Sequence, residues 1–266
     1  MQKIKFWKMS GAGNDFVLLQ GGNPSAARLE ELAVRLCDRR LGIGADGLLH
    51  IARAGRGALR VRYHNSDGSE AFCGNGSRCA AWRAWSSGLL REKDFILRTG
   101  AGDLRAEIIS AETVRMRMPD VKNARLNFSG NYPAGLKRVH FLNTGVPHAV
   151  VPVRDLEGTD VGALGRALRF NKAFGPAGTN VDFVRVAGRT VQVRTYERGV
   201  EGETLACGTG LTAAAVALAL AGVVKSPVTL AARSGDKFKA WLQPEGTGAA
   251  QIWLQGPAKT VFEGEI

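Results

Sequence analysis

Residues 211–221 contain nothing but Leu, Ala, Val and Thr. A helix apolar on all sides cannot lie on a surface, so this stretch predicts a helix enclosed by other elements. The turn that leads into it, Cys207-Gly208-Thr209-Gly210, has a counterpart earlier in the chain. Cys73-Gly74-Asn75-Gly76 precedes a second helical stretch in which Cys79, Ala80, Trp82, Ala84 and Trp85 are apolar on several sides before Gly88. Two Cys-Gly-x-Gly turns, each opening a buried helix, predict a duplicated architecture with one such turn per half.

Short strand signals surround both helices. In the first half, apolar and polar residues alternate over 3–9, 15–20, 59–65, 95–99, 104–109 and 113–118, the period-two pattern of strands. One amphipathic helix is expected over 25–40, with Leu29, Leu32, Ala33, Leu36 and Cys37 at helical spacing and Gly42 beyond its end. Residues 119–133 turn polar and read as a linker or hairpin. Strand signals then return over 138–142, 149–153, 181–186, 191–196, 228–232, 238–242 and 251–254, with 211–221 as the single helix among them. The expected class is α+β: two pseudo-symmetric half-domains, each with strands wrapped around a central buried helix.

Charge and cysteine content narrow the function. The formal charge of +12 invites a nucleic-acid reading, but the arginines are spread along the chain and alternate with apolar residues in strand-like stretches. No basic tail, aromatic RNA-binding motif or paired-cysteine finger accompanies them, so no nucleic-acid partner is expected. Four cysteines, Cys37, Cys73, Cys79 and Cys207, lack the close pairs of a metal site, and no metal is expected. No apolar run reaches the roughly 18 residues of a membrane span, and the N-terminal residues carry no signal-peptide core, so a cytoplasmic protein is expected. Gly11-Ala12-Gly13-Asn14 lacks the third glycine of a dinucleotide loop, and no P-loop or pyridoxal-phosphate lysine motif is present, so no cofactor is expected.

A cysteine at a helix N-terminus faces unpaired N–H groups and the positive end of the helix dipole, which favour the thiolate. The glycines beside it let backbone N–H groups approach a carboxylate. Inverting a carbon stereocentre through its C–H bond requires a base on one face and an acid on the other. Two half-sites with one thiol each, Cys73 and Cys207, fit that requirement, against the bland reading of two buried core cysteines.

Larger segments carry a further pattern: Met9-Ser10-Gly11-Ala12-Gly13-Asn14-Asp15-Phe16, Gly42-Ile43-Gly44-Ala45-Asp46-Gly47, Asn65-Ser66-Asp67-Gly68-Ser69-Glu70, the two Cys-Gly turns, and Tyr196-Glu197-Arg198-Gly199-Val200-Glu201-Gly202-Glu203-Thr204. Together they resemble the diaminopimelate epimerase family over nearly the whole chain. The resemblance implies a cofactor-independent isomerase that interconverts LL- and meso-diaminopimelate on the way to lysine and peptidoglycan, acting as a homodimer. It implies Cys73 and Cys207 as the catalytic pair, with Asn14, Asn65, Gly74, Asn75, Asn180, Glu197, Arg198, Gly208 and Thr209 as substrate contacts. His148 and Glu197 are implied to modulate a thiol pKa. It further implies an N-terminal half, 1–120, completed by 255–266, and a C-terminal half, 121–254. The chain departs from the family at Val146, where an Asn is common, at Ser10 for His, at Gly47 for Gln and at Phe262 for a dimer-interface Tyr. Asn143, Thr144 or water are expected to supply polarity lost at Ser10 and Gly47. Proline and hydroxyproline racemases, which also pair two cysteines, are the competing enzyme reading.

Overall fold

The computed structural model describes residues 3–266. The chain divides into two compact units, one built from the residues up to Met116 together with Gly256–Ile266, the other from Arg117–Gln255.

The first unit contains strands β1 (Lys5–Gly11), β2 (Asn14–Gln20), β3 (Gly47–Arg53), β4 (Ala58–Asn65), the short β5 (Glu70–Ala71), β6 (Asp94–Thr99), β7 (Gly102–Ser110) and β8 (Thr113–Arg117), and helices α1 (Ala26–Cys37) and α2 (Gly74–Ser86). The second contains β9 (His140–Asn143), β10 (Pro147–Pro152), β11 (Asn180–Ala187), β12 (Thr190–Glu197), the short β13 (Gly202–Thr204), β14 (Val228–Ala231), β15 (Lys237–Glu245) and most of β16 (Gly248–Pro257), whose last two residues belong to the first unit, with helices α3 (Val161–Arg169) and α4 (Gly208–Leu220). A last strand, β17 (Lys259–Glu265), returns to the first unit and pairs with β1.

Both units follow one wiring scheme. In the first, β1–β2 is antiparallel, β2–β3 parallel, β3–β4 antiparallel, β4–β6 parallel, and β6–β7 antiparallel. In the second, β9–β10, β10–β11, β11–β12, β12–β14 and β14–β15 repeat that series in the same order and sense. The helices fall at matching points: α1 and α3 cross between the first parallel pair, α2 and α4 between the second. The expected α+β class and internal repeat are therefore present in the chain's topology.

The central helices owe their position to sequence. All residues from Gly210 to Leu218 in α4 are buried, and the helix touches β9, β10, β11, β12, β14 and β15. Around α2 stand β1, β2, β3, β4, β7 and β17. The outer helix α1 is amphipathic instead, burying Leu29, Leu32, Ala33, Leu36 and Cys37 against Phe6, Val17, Leu19 and Leu48. Strand β2 thus serves two cores, sending Phe16 and Leu18 toward α2 and Val17 and Leu19 toward α1.

Three sequence expectations need correction. The first helix stops at Cys37 rather than 40, because Asp38 caps the turn beyond it by accepting the N–H groups of Arg40 and Leu41 at 2.7 and 2.6 Å. Strands β3, β5, β13 and β17 were not expected: β5 and β13 are only two and three residues long, β17 is exposed along most of its length, and in β3, with both faces covered, Gly-Leu-Leu-His-Ile-Ala-Arg shows a buried run rather than alternation. The second half holds two helices, not one. Its outer helix α3 carries Gly162 and Gly165, which weaken the helical signal.

Gly165 is there for packing. A Cβ at this position would stand 2.5 Å from the Tyr196 Cβ on β12, so α3 can lie against the sheet only without one. Gly165→Ala is expected to lower the melting temperature: overpacking costs about 1–3 kcal/mol against roughly 1 kcal/mol of helix propensity gained. An unchanged or higher melting temperature would contradict this packing.

Candidate active site

The first unit's half-site forms where the β1–β2 hairpin meets the start of α2. The hairpin closes with two residues, Ala12 and Gly13, both at positive φ (58° and 93°), which places Asn14 at the head of β2. Gly11 opposite it allows the close approach: a Cβ there would lie 2.9 Å from the Asn75 carbonyl oxygen. Cys73 is the N-cap of α2, half-buried, and its sulfur accepts the Gly76 N–H at 3.4 Å. The sulfur thus takes the place that Ser or Asp holds at an ordinary N-cap. Asn75 is buried and donates from Nδ2 to Asn14 Oδ1 at 2.7 Å. Asn65, at the end of β4, donates to the Ser69 hydroxyl at 3.0 Å.

In the second unit, Cys207 caps α4 in the same extended conformation and is buried. Its sulfur lies 3.3 Å from Thr209 Oγ1, which lies 3.0 Å from His148 Nε2; His148 Nδ1 lies 2.7 Å from Asp182 Oδ2. Asp182 also accepts the Thr195 hydroxyl hydrogen at 2.8 Å. A carboxylate only accepts, so His148 Nδ1 carries the hydrogen, and Nε2 is left to face Thr209. Both His148 and Asp182 are fully buried. Burial pushes the Cys207 thiol well above its ordinary value, and the carboxylates of Glu197 and Asp182 add to the rise while Thr209 opposes it. Burial also raises Glu197, with the Thr204 hydroxyl and His148 partly offsetting the rise and Asp182 adding to it.

Asn180 works as a clamp. Its Nδ2 donates to the Pro147 carbonyl at 3.1 Å, ahead of His148, and its Oδ1 accepts the Arg198 N–H at 2.8 Å. No carboxylate among the described residues forms an ion pair with the Arg198 guanidinium, and so it has charge to offer an incoming one. The polarity expected from Asn143 and Thr144 is engaged internally: Asn143 Oδ1 accepts the Gly145 N–H at 2.8 Å, and Thr144 donates to the Thr209 carbonyl at 3.1 Å.

Matching the two wiring schemes shows how the halves diverge. Phe16 pairs with Gly47 as His148 pairs with Asn180, and Leu49 pairs with Tyr63 as Asp182 pairs with Thr195. Third after each cysteine is a glycine seated on these residues. A Cβ at Gly76 would meet Leu49 and Phe16 at 3.1 and 3.4 Å, and one at Gly210 would meet Asp182 and Thr195 at 2.2 and 3.2 Å. The same backbone thus backs Cys73 with hydrocarbon and Cys207 with a histidine–carboxylate chain. Asp182, Thr195 and Arg78 escaped the sequence reading, and Asp46 stood in a quoted segment without a role, though an Asp inside the apolar run Val-Asp-Phe-Val and an Arg on a buried helix were available signals. The other two thiols sit in the core, where burial pushes both Cys37 and Cys79 up to about 12.

Comparison with known proteins places this geometry. A family model described as diaminopimelate epimerase matches residues 6–123 and 140–261. Curated diaminopimelate epimerases from Aquifex aeolicus and Chlorobaculum tepidum are 39% and 38% identical, the first covering 99% of this chain and 98% of the relative, the second 97% and 99%. Among solved structures, a Bacillus anthracis phenazine biosynthesis protein of the PhzF family superposes with a TM-score of 0.78 at 16% identity, covering 100% of this chain and 99% of the other. A probable proline racemase from Agrobacterium radiobacter K84 gives 0.73 at 20%, covering 99% and 92%. The structures share the fold, and the sequence matches reach further: the chain belongs to the diaminopimelate epimerase family.

Proposed function

We propose that this protein interconverts LL- and meso-diaminopimelate by proton transfer at the α-carbon, with Cys73 and Cys207 as the acid–base pair and no cofactor. The observation that carries the reading is the duplicated N-cap: in each unit a cysteine sulfur stands at the first turn of a buried helix, among glycines and backbone N–H groups suited to an α-carboxylate. One sulfur, as thiolate, takes the α-hydrogen; the other, as thiol, delivers a proton to the opposite face of the resulting carbanion. Negative charge spreads into the carboxylate, where helix N–H groups stabilise it. Reversal exchanges the roles. The surroundings of Cys207 bear on its part in this exchange: burial, with the carboxylates of Glu197 and Asp182 nearby, disfavours its thiolate.

Specificity follows from ends of unlike charge. Arg198 suits a carboxylate, Glu197 an ammonium, and Asn14, Asn65, Asn75 and Asn180 supply both donors and acceptors. Gly74, Gly208 and Thr209 line the two cysteine turns. Relatives named for diaminopimelate at 39% identity favour that substrate over proline, whose racemase shares only the fold. The same reading makes the protein a step toward lysine and peptidoglycan precursors, and the exposed Val261 and Phe262 on β17 support a homodimer.

Cys73→Ala and Cys207→Ala are each expected to reduce epimerisation by roughly 10²–10⁴-fold, with circular dichroism spectra like that of the parent. Near-normal turnover by either variant removes the two-thiol mechanism.

A second test concerns charge. The Glu197 carboxylate helps to raise the Cys207 thiol, so Glu197→Gln in a Cys73→Ala background should move Cys207 ionisation to lower pH. The ultraviolet absorbance of the thiolate, followed against pH, reports this. A midpoint that stays or rises would contradict the assigned coupling.

A further inference from the structure

The two asparagines of the first half-site belong to a hydrogen-bonded chain with ends of opposite kind. Arg78, on the buried helix α2 and 2% exposed, donates from Nη2 to Asn75 Oδ1 at 2.6 Å. Asn75 Nδ2 donates to Asn14 Oδ1 at 2.7 Å, and Asn14 Nδ2 donates to Asp46 Oδ2 at 2.8 Å. A guanidinium can only donate, and a carboxylate can only accept. These ends fix the direction of everything between them. Turning the Asn75 amide over would set its NH₂ against Arg78 and its oxygen against the Asn14 oxygen; turning Asn14 over would set its oxygen against Asp46.

Both ends are themselves held. Arg78 Nε donates to the Pro257 carbonyl at 3.2 Å. Asp46 accepts Arg39 Nη2 on Oδ1 at 2.7 Å and the Asp15 N–H on Oδ2 at 3.2 Å. Arg39 in turn grips Asp15 through two hydrogen bonds of 3.1 and 2.8 Å. Burial alone would raise Asp15, but the hydrogen bonds and charges of Arg39 and Lys8 outweigh it and hold the group at about 2. Asp15 therefore keeps its charge and its hold on Arg39, which also donates to Asp46.

We propose that Arg78 and Asp46 are positioning residues that determine which amide atom, nitrogen or oxygen, Asn14 and Asn75 present to the substrate. The chain uses one hydrogen and one lone pair of Asn14, leaving it one N–H and one lone pair in set directions. The inference rests on the proposed role of Asn14 and Asn75 as substrate contacts. It adds two residues that do not themselves touch substrate and gives a physical reason for a buried arginine on the central helix. An asparagine free to flip would offer a carboxylate its oxygen half of the time, and the oriented pair removes that state before binding.

The test is Asp46→Asn. Asp46 supplies acceptor oxygens to both Arg39 and Asn14; an amide has only one oxygen, and the Arg39 guanidinium, which can only donate and bonds more strongly through its charge, claims it, so Asn14 meets the NH₂. The expected result is a KM for LL-diaminopimelate raised about tenfold, the equivalent of one misdirected hydrogen bond, with kcat within about threefold of the parent. Asp46→Glu, which keeps two acceptors, should recover part of the loss. The side-chain amide resonances of ¹⁵N-labelled Asn14 and Asn75 should shift together in Asp46→Asn, since one chain joins them. An unchanged KM, a fall in kcat at constant KM, or movement of the Asn14 resonances alone would overturn the proposal. If the parent protein failed to epimerise diaminopimelate the proposed function would fall, while the paired amide shifts would still decide whether the chain orients both asparagines. Arg78→Lys, which keeps a donor at the other end, should leave those resonances near their parent positions; their collapse in a folded Arg78→Lys protein would count against the chain.

Discussion

The first N–H groups of a helix enclosed by strands need partners, and both units of this protein depend on how that need is met. Four N–H groups at the start of any helix lack an internal partner. In α2 and α4 the residue at the cap is a cysteine, a weak acceptor, followed by glycines that keep the backbone open. An ordinary Ser or Asp cap would satisfy the turn more fully and give a more inert protein. The weak cap leaves capacity for a carboxylate while setting a thiol beside it. The apolar helix bodies, the wiring of strands around them, and glycines such as Gly11 that permit close approach all maintain this one arrangement.

The repeated wiring gives two copies of this arrangement that differ where it matters chemically. Register equivalence pairs Phe16, Leu49 and Tyr63 with His148, Asp182 and Thr195, a mainly apolar wall in one unit and a polar chain in the other. A buried histidine and carboxylate are costly unless they satisfy each other. Here they do, and Gly210 makes the room, since any Cβ would strike Asp182. The polar chain reaches Cys207 through Thr209; in the first unit the comparable polar chain runs through Asn75 and Asn14 instead. One half is thus equipped around its thiol and the other around its amides.

Much of this was legible in the sequence because it rests on period and repetition. The two Cys-Gly-x-Gly turns before apolar stretches announced the central helices, and alternating strands announced the sheets. Part of what escaped lay where burial on both faces erases periodicity, as in β3, or where packing demands a residue that local propensity opposes, as with Gly165 in α3; β17 escaped because an exposed edge strand carries no alternation. The supporting polar residues escaped for another reason. Asp46 and Arg78 are single residues whose meaning depends on partners distant in the chain, so no local pattern shows that they bracket Asn14 and Asn75. The Asp inside Val181-Asp182-Phe183-Val184 did carry a local signal, a charge in an apolar strand, and it marks the buried partner of His148.

The most direct test of two thiols sharing one inversion is the fate of solvent hydrogen. With LL-diaminopimelate in D₂O, no added cofactor and reducing agent present, two-base transfer predicts deuterium at the α-carbon of the meso product from the first turnovers, while recovered LL substrate stays unlabelled at low conversion. Product that retains protium, or substrate that gains deuterium as quickly as product, would contradict the account, because a single base would then be serving both faces.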